Sequence, residues 1–188
     1  MEKKKIRPSA YLYPMPTTIV GATVMGKPSF TTIAFCGNLQ YKPPKLGISC
    51  GKNHYITEGI KESQTFSVNI PSTDMVVATD YVGITSGRKT DKSQIFDVFY
   101  GDLQTAPMIS EAPLNQECRV AKIIDLGGTS DLIIGEIVQT YVKEECLTKN
   151  KPDIKKIDPF ILSGYSHYLK VGEIFAEAYK IGKEYKKD

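Results

Sequence analysis

Two short runs of β-branched and apolar residues lie close together near the start of the chain, separated by residues that favour a tight turn. The first run spans residues 17–24 and the second spans residues 30–35. Between them, Met25-Gly26-Lys27-Pro28 carries the glycine and proline that chain reversals use. The pattern predicts a β-hairpin. It constrains the fold because strands joined by so short a turn must pair antiparallel.

The other hydrophobic runs are also short, and most of them alternate between apolar and polar residues as half-buried strands do. Strands are predicted at residues 46–50, 65–70, 114–125 and 132–142, and in a last region at 161–175 that includes Tyr165. The 132–142 run has β-branched residues on both faces, which predicts burial on both sides, against a helix or a second subunit.

Helix signals are fewer. Short helices are predicted from Ile56 to about residue 62, and from Met75 to Val82 after the helix-start sequence Ser72-Thr73-Asp74. Pro43-Pro44 is expected to break the chain. About seven strands with two or three helices favour an antiparallel barrel over a Rossmann fold.

Charge is concentrated at the two ends of the chain. Of the net charge of +3, residues 2–7 and 180–188 contribute +5, so the body between them carries about −2. We interpret residues 1–10 and 183–188 as basic tails and residues 11–182 as one domain, since 188 residues suffice for one buried core. A body with net negative charge argues against a nucleic-acid partner.

The cysteines and histidines exclude the usual metal and disulfide architectures. Cys36, Cys50, Cys118 and Cys146 are far apart and form no Cys-x-x-Cys pair, and only two histidines are present. The sequence shows no export signal, no apolar run long enough to span a bilayer and no lipidation motif. We therefore expect a cytoplasmic protein with free thiols that does not associate with a membrane.

A polar segment between a predicted strand and a predicted helix is the first candidate binding site. It reads Ser49-Cys50-Gly51-Lys52-Asn53-His54-Tyr55-Ile56-Thr57. The free N–H groups and the positive dipole end of such a helix attract anions, and Lys52 and Thr57 would complete a phosphate cradle. The alternative is a plain connection in which Asn53 caps the helix and Lys52 faces solvent.

Two more polar spots end hydrophobic runs, namely Thr31-Thr32 and the loop from Ser86 to Lys92. Each has a structural alternative. The structural alternative is favoured for each residue taken alone: a solvated loop cation for Lys92, one half of a weak surface ion pair for Arg88, and a core residue for Phe160. The chain contains no Gly-x-Gly-x-x-Gly, no P-loop and no Gly-x-Ser-x-Gly, so these three spots are the candidates that remain.

Taken in order, these residues and their neighbours match one known pattern from about residue 11 to residue 182. The matching segments are Gly26-Lys27-Pro28, Thr31-Thr32-Ile33-Ala34, Pro43-Pro44, Lys52-x-His54-Tyr55-x-Thr57, Phe66-Ser67-Val68-Asn69-Ile70-Pro71-Ser72, Ser86-Gly87-Arg88-x-x-Asp91-Lys92, Ala106-Pro107, Glu117-Cys118, Gly135-Glu136, Pro159-Phe160 and Tyr168-x-x-x-Gly172-Glu173. The chain resembles the flavoredoxin-like members of the flavin reductase family. That resemblance implies a mostly β fold with short helices, built as a six-stranded antiparallel split β-barrel. It also implies a homodimer that binds FMN near the interface between its subunits.

The resemblance also assigns roles to individual residues. The FMN phosphate and ribityl chain would be held by Lys52, His54 and Thr57 together with the amides between them, which belong to Asn53 and Tyr55. Ser86 would be a further cofactor-binding residue. Backbone groups of Thr31, Thr32, Ile33 and Ala34 would line the isoalloxazine, with Ser49 and Cys50 on the adjoining strand. Lys92 and Phe160 would close over the flavin, from the same subunit or from the second one. The chain departs from its relatives in having Ser93 where a phenylalanine is common and Tyr168-Leu169 where an aromatic dipeptide is common, and it contains no tryptophan.

The function implied is that of an FMN-binding flavoprotein, with FAD a weaker alternative. NADH or NADPH, bound transiently, would pass a hydride to the flavin N5, and the protein would supply binding, orientation and electrostatics. The competing hypothesis is an electron-transfer protein that keeps FMN bound, does not turn over nicotinamide and serves a redox partner protein.

On the sequence alone, Lys52→Ala is expected to weaken FMN binding by more than about tenfold, because a charge-assisted phosphate contact is lost.

Overall fold

The computed structural model describes residues 1–164 and 166–185. Tyr165, expected in the last strand region, and residues 186–188 of the basic C-terminal tail lie outside the described residues. Short strands and three helices make up the fold: β1 (Met15–Pro16), β2 (Thr18–Val24), β3 (Lys27–Ile33), β4 (Cys36–Tyr41), β5 (Pro44–Gly51), α1 (Tyr55–Ser63), β6 (Thr65–Ile70), α2 (Val76–Ile84), β7 (Val98–Phe99), β8 (Met108–Ile109), β9 (Leu114–Asp125), β10 (Ser130–Val142), β11 (Leu147–Thr148), β12 (Lys151–Pro152), α3 (Ile154–Ile157), β13 (Phe160–Ser163) and β14 (His167–Lys170).

One antiparallel sheet of seven strands dominates the structure. Its strand order is β3-β2-β6-β9-β10-β5-β4, and β1-β13-β14 forms a separate three-stranded sheet. The mostly β class with short helices is therefore confirmed. The expected six-stranded barrel differs from what is seen, because the main sheet has seven strands and its ladder is not closed between β3 and β4.

The predicted first hairpin is confirmed. Val24 pairs with Lys27, and the two residues between them, Met25 and Gly26, both have positive φ, as a two-residue hairpin turn requires. The second hairpin was missed, because Pro43-Pro44 does not break the chain. Instead Tyr41 pairs with Pro44 across a tight turn that joins β4 to β5. β4 is an exposed edge strand, so its sequence lacks the alternation that marks a half-buried one.

One other strand prediction needs correction. The last region is not one long strand, since it contains only β13 and β14, which pair with each other, and residues 171–175 are not in a strand. Within one chain β10 is buried on one side and half-buried on the other, so its burial on both sides, against a second subunit, stays a prediction. Its residues alternate between fully buried positions such as Asp131 and Ile133 and half-buried positions such as Leu132 and Ile134.

The main core lies on one face of the curled sheet, which α1 covers. It contains residues from six of the seven strands and from the helix, namely Val20, Ala22, Ile33, Leu46, Ile48, Cys50, Ile56, Ile60, Phe66, Val68, Cys118 and Ile133. A second cluster packs α2 against β2 and β3 around Ile19, Phe30 and Val82. No helix in the described part of the chain is long and apolar enough to cross a membrane.

Glu117 anchors the long loop before β8. Its carboxylate is fully buried and accepts hydrogen bonds from the backbone amides of Asp102 (3.0 Å) and Leu103 (2.8 Å) and from the Tyr141 hydroxyl (3.0 Å). A buried carboxylate is tolerated when its oxygens are paired in this way. The Glu117-Cys118 motif therefore has a structural role, with Cys118 in the core beside it.

Lys92 anchors a second loop, and it is not the solvated cation that its sequence context suggested. It is 3% exposed, and its ammonium donates to the backbone carbonyls of Phe30 (3.0 Å) and Val82 (2.7 Å). It thereby attaches the 85–92 loop to β3 and α2. None of the ion pairs found among residues 1–164 and 166–185 includes Lys92, and burial lowers the pKa of Lys92 to about 8.

We expect Glu117→Ala to lower the free energy of unfolding by about 3 kcal/mol, because two loop amides lose their buried acceptor. Tyr141→Phe removes only one donor and should cost about 1 kcal/mol. Urea unfolding of both variants beside the wild type measures the difference. Equal costs for the two substitutions would contradict the anchoring role of the carboxylate.

A pH series should reveal the buried ammonium of Lys92. Between the folded pKa of about 8 and the ordinary value of 10.5 the unfolded chain holds a proton that the folded protein has released, so unfolding becomes less favourable as pH rises. We therefore expect the stability of the wild type relative to Lys92→Met to increase between pH 8 and pH 10.5. A constant difference in the free energy of unfolding between the two proteins across this range would show that Lys92 is not deprotonated there.

Candidate functional site

The predicted cradle is present at the junction of β5 and α1. The His54 amide donates to the Gly51 carbonyl (3.0 Å), and the Thr57 amide donates to the His54 carbonyl (3.0 Å). His54, not Asn53 as expected, is therefore the N-cap of the nine-residue helix α1. The amides of Tyr55 and Ile56 follow it at positions that have no acceptor within the helix. They mark the positive end of the helix dipole.

The side chains beneath the cradle hold its shape. The buried Thr57 hydroxyl donates to the Gly51 carbonyl (2.8 Å) and lies 3.1 Å from the Cys50 sulfur. Cys50 is fully buried in the core, and burial raises the pKa of its thiol. Cys50 and Thr57 therefore support the cradle from inside, and their side chains do not line either cavity described below.

Lys52 points away from the cradle. Its ammonium lies 2.6 Å from a carboxylate oxygen of Asp125 and 3.9 Å from one of Asp131. The same Asp131 pairs with Lys61 of α1 at 2.8 Å. Lys52 thus joins the start of α1 to the β9–β10 hairpin and lines neither of the two cavities that adjoin the cradle.

The larger cavity, about 450 Å³, lies between the end of β3, strand β5 and the cradle. Six of the residues expected to bind flavin line it: Thr32, Ile33, Ala34, Ser49, Asn53 and His54. β3 is the last strand of the sheet, so one of its edges has no strand partner and can offer backbone groups to a ligand. The Thr32 hydroxyl donates its one hydrogen to the Thr79 carbonyl of α2, so it has none left to donate to a ligand.

Residues from distant parts of the chain complete this cavity, and sequence reasoning missed them. They are Met15, Thr129, Ser130 and Leu162, whereas Phe35 follows the expected Ala34 and Gly51 belongs to the predicted cradle. Met15 and Leu162 are register partners across β1 and β13, so only the folded chain brings them together. Thr129 and Ser130 follow the Gly127-Gly128 turn, which was the one local signal for a chain reversal at that place.

A smaller groove of about 200 Å³ adjoins the larger cavity, and both are lined by Asn53 and His54. The groove also contains Thr31, Tyr55 and Ser86, three more of the expected residues. It brings the first residues of α1 opposite the 85–92 loop. No Asp or Glu lines either space within residues 1–164 and 166–185, so no fixed negative charge there opposes an anion.

The 85–92 loop is pinned across the groove by charged contacts. The Arg88 guanidinium makes a two-pronged ion pair with Glu58 of α1 and lies 5.6 Å from the centroid of the Tyr55 ring. Gly87 fits against the same ring, where a Cβ would come within 2.5 Å of a ring carbon. The loop end is fixed by Asp91, which accepts from the Ser93 amide (2.9 Å) and from Lys27 (3.0 Å).

Asp91 is held as a carboxylate by the same contacts. The hydrogen bonds from Ser93 and then from Lys27 lower the pKa of Asp91 well below its usual range. Ser93 was the position at which the chain departs from its relatives. Here its amide helps to fix the end of the loop.

Phe160 does not close over either cavity of its own chain. It is 3% exposed and packs edge-on against Tyr168, with ring centroids 5.2 Å apart. Lys92 is likewise used within the fold, as described above. No group of three or more His, Cys, Asp or Glu side chains in the described residues is arranged to hold a metal ion.

Comparison with known proteins places this geometry in a family. The profile of the flavin reductase like domain matches residues 10–156. A crystal structure of flavoredoxin from Methanosarcina acetivorans is 45% identical, with a TM-score of 0.95 over 97% of this chain and 98% of that one. Flavoredoxin of Desulfovibrio vulgaris (Miyazaki F) is 32% identical, with a TM-score of 0.89 over 96% of this chain and 100% of that one.

A more distant structure shares the fold alone. The FMN-binding protein from Thermus thermophilus with bound p-hydroxybenzaldehyde is 22% identical and has a TM-score of 0.79 over 94% of this chain and 98% of that one. The family match spans well over half of the sequence, and the two flavoredoxins extend the likeness to almost all of it. The chain belongs to the flavin reductase-like family, and within it resembles the flavoredoxins.

Proposed function

We propose that the chain binds FMN in the two joined spaces and serves as an NAD(P)H-dependent flavin reductase. The observation that carries the proposal is the junction at Asn53 and His54, where a larger cavity with mainly apolar walls meets a groove that begins at a helix N-terminus. A flavin mononucleotide has the same two-part chemistry, a broad ring system and a phosphate. The larger cavity lies within the size range of small-molecule sites.

The residues that line the smaller groove suit a phosphate even though no lysine pairs with it there. Tyr55, Ile56 and Ser86 line the smaller groove, so the first amides of α1 and the Ser86 hydroxyl would hold the phosphate there, as amides at a helix N-terminus do well. The Ser86 oxygen accepts from the Arg88 amide (3.3 Å), which leaves the Ser86 hydrogen to be donated. In this proposal the phosphate lies on amides and hydroxyls, whereas Lys52 and Thr57 shape the cradle from outside and beneath.

The larger cavity would orient the ring and limit its contact with water. Backbone groups at Thr32, Ile33 and Ala34 would hydrogen-bond the ring edge, while Met15 and Leu162 would supply an apolar wall. When bound, the flavin supplies the redox chemistry by accepting a hydride at N5 from the reduced nicotinamide. The chain needs no acid or base of its own for that step, which suits walls that carry no carboxylate.

The flavoredoxin likeness gives a second candidate weight, namely an electron carrier that keeps FMN bound and passes electrons to a redox partner protein. The two candidates share the flavin site. They differ in whether NADH or NADPH reduces the bound flavin in repeated turnovers. The free state of all four cysteines suits the reducing cytoplasm expected for either activity.

We also propose that the chain works as a homodimer. Exposed apolar side chains follow one another along one face of α2, where Val77 is 79% and Ile84 is 76% exposed. Ile84 also lines the smaller groove. A second subunit that covered this face would bury the apolar side chains and close the groove on one side. Size-exclusion chromatography with light scattering measures the oligomeric state directly.

The purified protein is expected to be yellow, or to become yellow on addition of FMN, and to release FMN on denaturation. Steady-state oxidation of NADH and of NADPH with added free FMN then separates the two candidates, because only a reductase turns over. A flavin that is reduced once and does not turn over would favour the electron carrier. A colourless protein that cannot be reconstituted with FMN or FAD would contradict both.

Binding of FMN and of riboflavin by two variants tests the position of the phosphate. Ser86→Ala should weaken FMN binding by about tenfold and leave riboflavin binding unchanged, because a hydrogen bond to a charged group is lost. Lys52→Ala should change FMN binding by less than about threefold, since Lys52 is paired with Asp125. If Lys52→Ala weakened FMN binding more than Ser86→Ala does, the phosphate would lie at Lys52, as the sequence alone suggested.

A further inference from the structure

Residues 171–185 form an arm that follows β14, and almost all of them are exposed to solvent. Many of these exposed residues are large and apolar or aromatic: Val171, Ile174, Phe175, Tyr179, Ile181 and Tyr185. Phe175 is 99% exposed and Tyr179 is 96% exposed, so these two side chains pack against nothing in their own chain. Exposed apolar side chains at this density mark a surface that binds another surface.

The arm begins beside α2. The Tyr168 hydroxyl of β14 donates to the Asp80 carboxylate of α2 (2.8 Å). Leu169 and Lys170, which lead into the arm, line a small cavity together with Val76 of α2. β14 is one outer strand of the small sheet, whereas β1, the other outer strand, contacts β4. The arm therefore leaves the chain next to α2 and away from β4.

The exposed face of α2 is an apolar surface of matching chemistry. Val77, Tyr81 and Ile84 are all exposed, and their spacing of four and three residues places them on one side of the helix. This side is bare although the arm begins beside it, so the arm of the same chain does not cover it. Two apolar surfaces that adjoin in one chain and stay apart there can meet across a two-fold axis.

We propose that the arm of one chain lies across α2 of a second copy, and that the second copy places its own arm on the first in the same way. The inference rests on the proposed homodimer and names the segment that forms its contact. In a two-fold dimer, a segment that leaves one subunit beside the shared face reaches the same face of the other. Residues 171–185, if extended, span up to about 50 Å, whereas the nine residues of α2 span about 14 Å.

The contact would bring the arm to the edge of the candidate flavin site. Ile84 belongs to the exposed face of α2 and also lines the smaller groove. An arm that covered α2 would therefore cover the groove at Ile84, on the side of the 85–92 loop. The dimer would then shield a ligand in this groove from water better than a single chain does.

Cross-linking shows which chain the arm contacts. A chain with both Phe175→Cys and Val77→Cys, treated with a short bifunctional maleimide, is expected to give a covalent dimer, because each arm reaches the other copy. A closed single chain would mean that the arm folds onto its own α2, and would overturn the inference. The four native cysteines are buried or half-buried and should react little.

Two matched controls accompany the cross-link. Phe175→Cys alone should give no covalent dimer, since a product would mean that the two arms contact each other and not α2. Phe175→Cys combined with Tyr41→Cys should also give none. Tyr41 is 89% exposed but lies on β4, so a product there would reassign the arm to that strand and overturn the inference.

Light scattering at several protein concentrations measures the energetic part. Phe175→Ser combined with Tyr179→Ser should raise the dissociation constant of the dimer by about tenfold or more, because two aromatic side chains leave the contact. Leu12→Ser combined with Tyr41→Ser removes two side chains that are similarly exposed outside the arm and α2, and should leave the constant unchanged.

The outcomes separate this inference from the proposed function. A wild type that is monomeric at all concentrations would overturn the proposed homodimer and the arm contact together. A dimer whose dissociation constant is the same in the arm variant as in the wild type would overturn the arm contact alone. A wild type that binds no flavin would contradict the proposed flavin site, whereas the cross-link reports on the arm without any flavin.

Discussion

The hydrogen bond from the Thr57 hydroxyl to the Gly51 carbonyl fixes the end of β5 against the start of α1. The candidate site depends on this short connection. It sets the direction in which the first amides of α1 point, and it places Asn53 and His54 between the two spaces. Since Thr57 and Cys50 are buried in the core, the position of the cradle is tied to the packing of the whole sheet. The Thr57 hydroxyl keeps this position because a buried hydroxyl that lost its backbone acceptor would be left without a hydrogen bond, which is costly.

Local patterns predicted local structure well. The bounds of β6 and β9 agree with the sequence pattern at both ends, because half-buried strands in an antiparallel sheet alternate strictly. The position of the cradle was also predictable, since a strand end and a helix start are neighbours in sequence. β4 was missed because an exposed edge strand has no buried face, so its sequence shows no alternation of apolar and polar residues. The wall formed by Met15 and Leu162 depends on pairing between the two ends of the chain, which carries no local signal.

The cations were the least predictable part of the site. Lys52 was expected to hold the phosphate and Lys92 to close over the flavin, while Arg88 had a surface ion pair as its alternative, and each is used by the protein itself. Lys52 pairs with Asp125 from another hairpin, Arg88 with Glu58, and Lys92 with two carbonyls. These partners lie at least 10 residues away in sequence. A cationic side chain in the fold is expected to have a hydrogen-bond or ion-pair partner, but the sequence does not identify that partner, since it comes from a distant part of the chain.

The pinned 85–92 loop has a consequence for how long a ligand stays bound. Arg88, Lys92 and Asp91 order the loop as part of folding, so the conformational entropy of that segment is already lost before any ligand arrives. A pre-organised wall of this kind favours slow dissociation over fast association. It inclines such a site towards a resident prosthetic group rather than a substrate that is exchanged at every turnover. Loosening the loop would shift the same fold towards exchange.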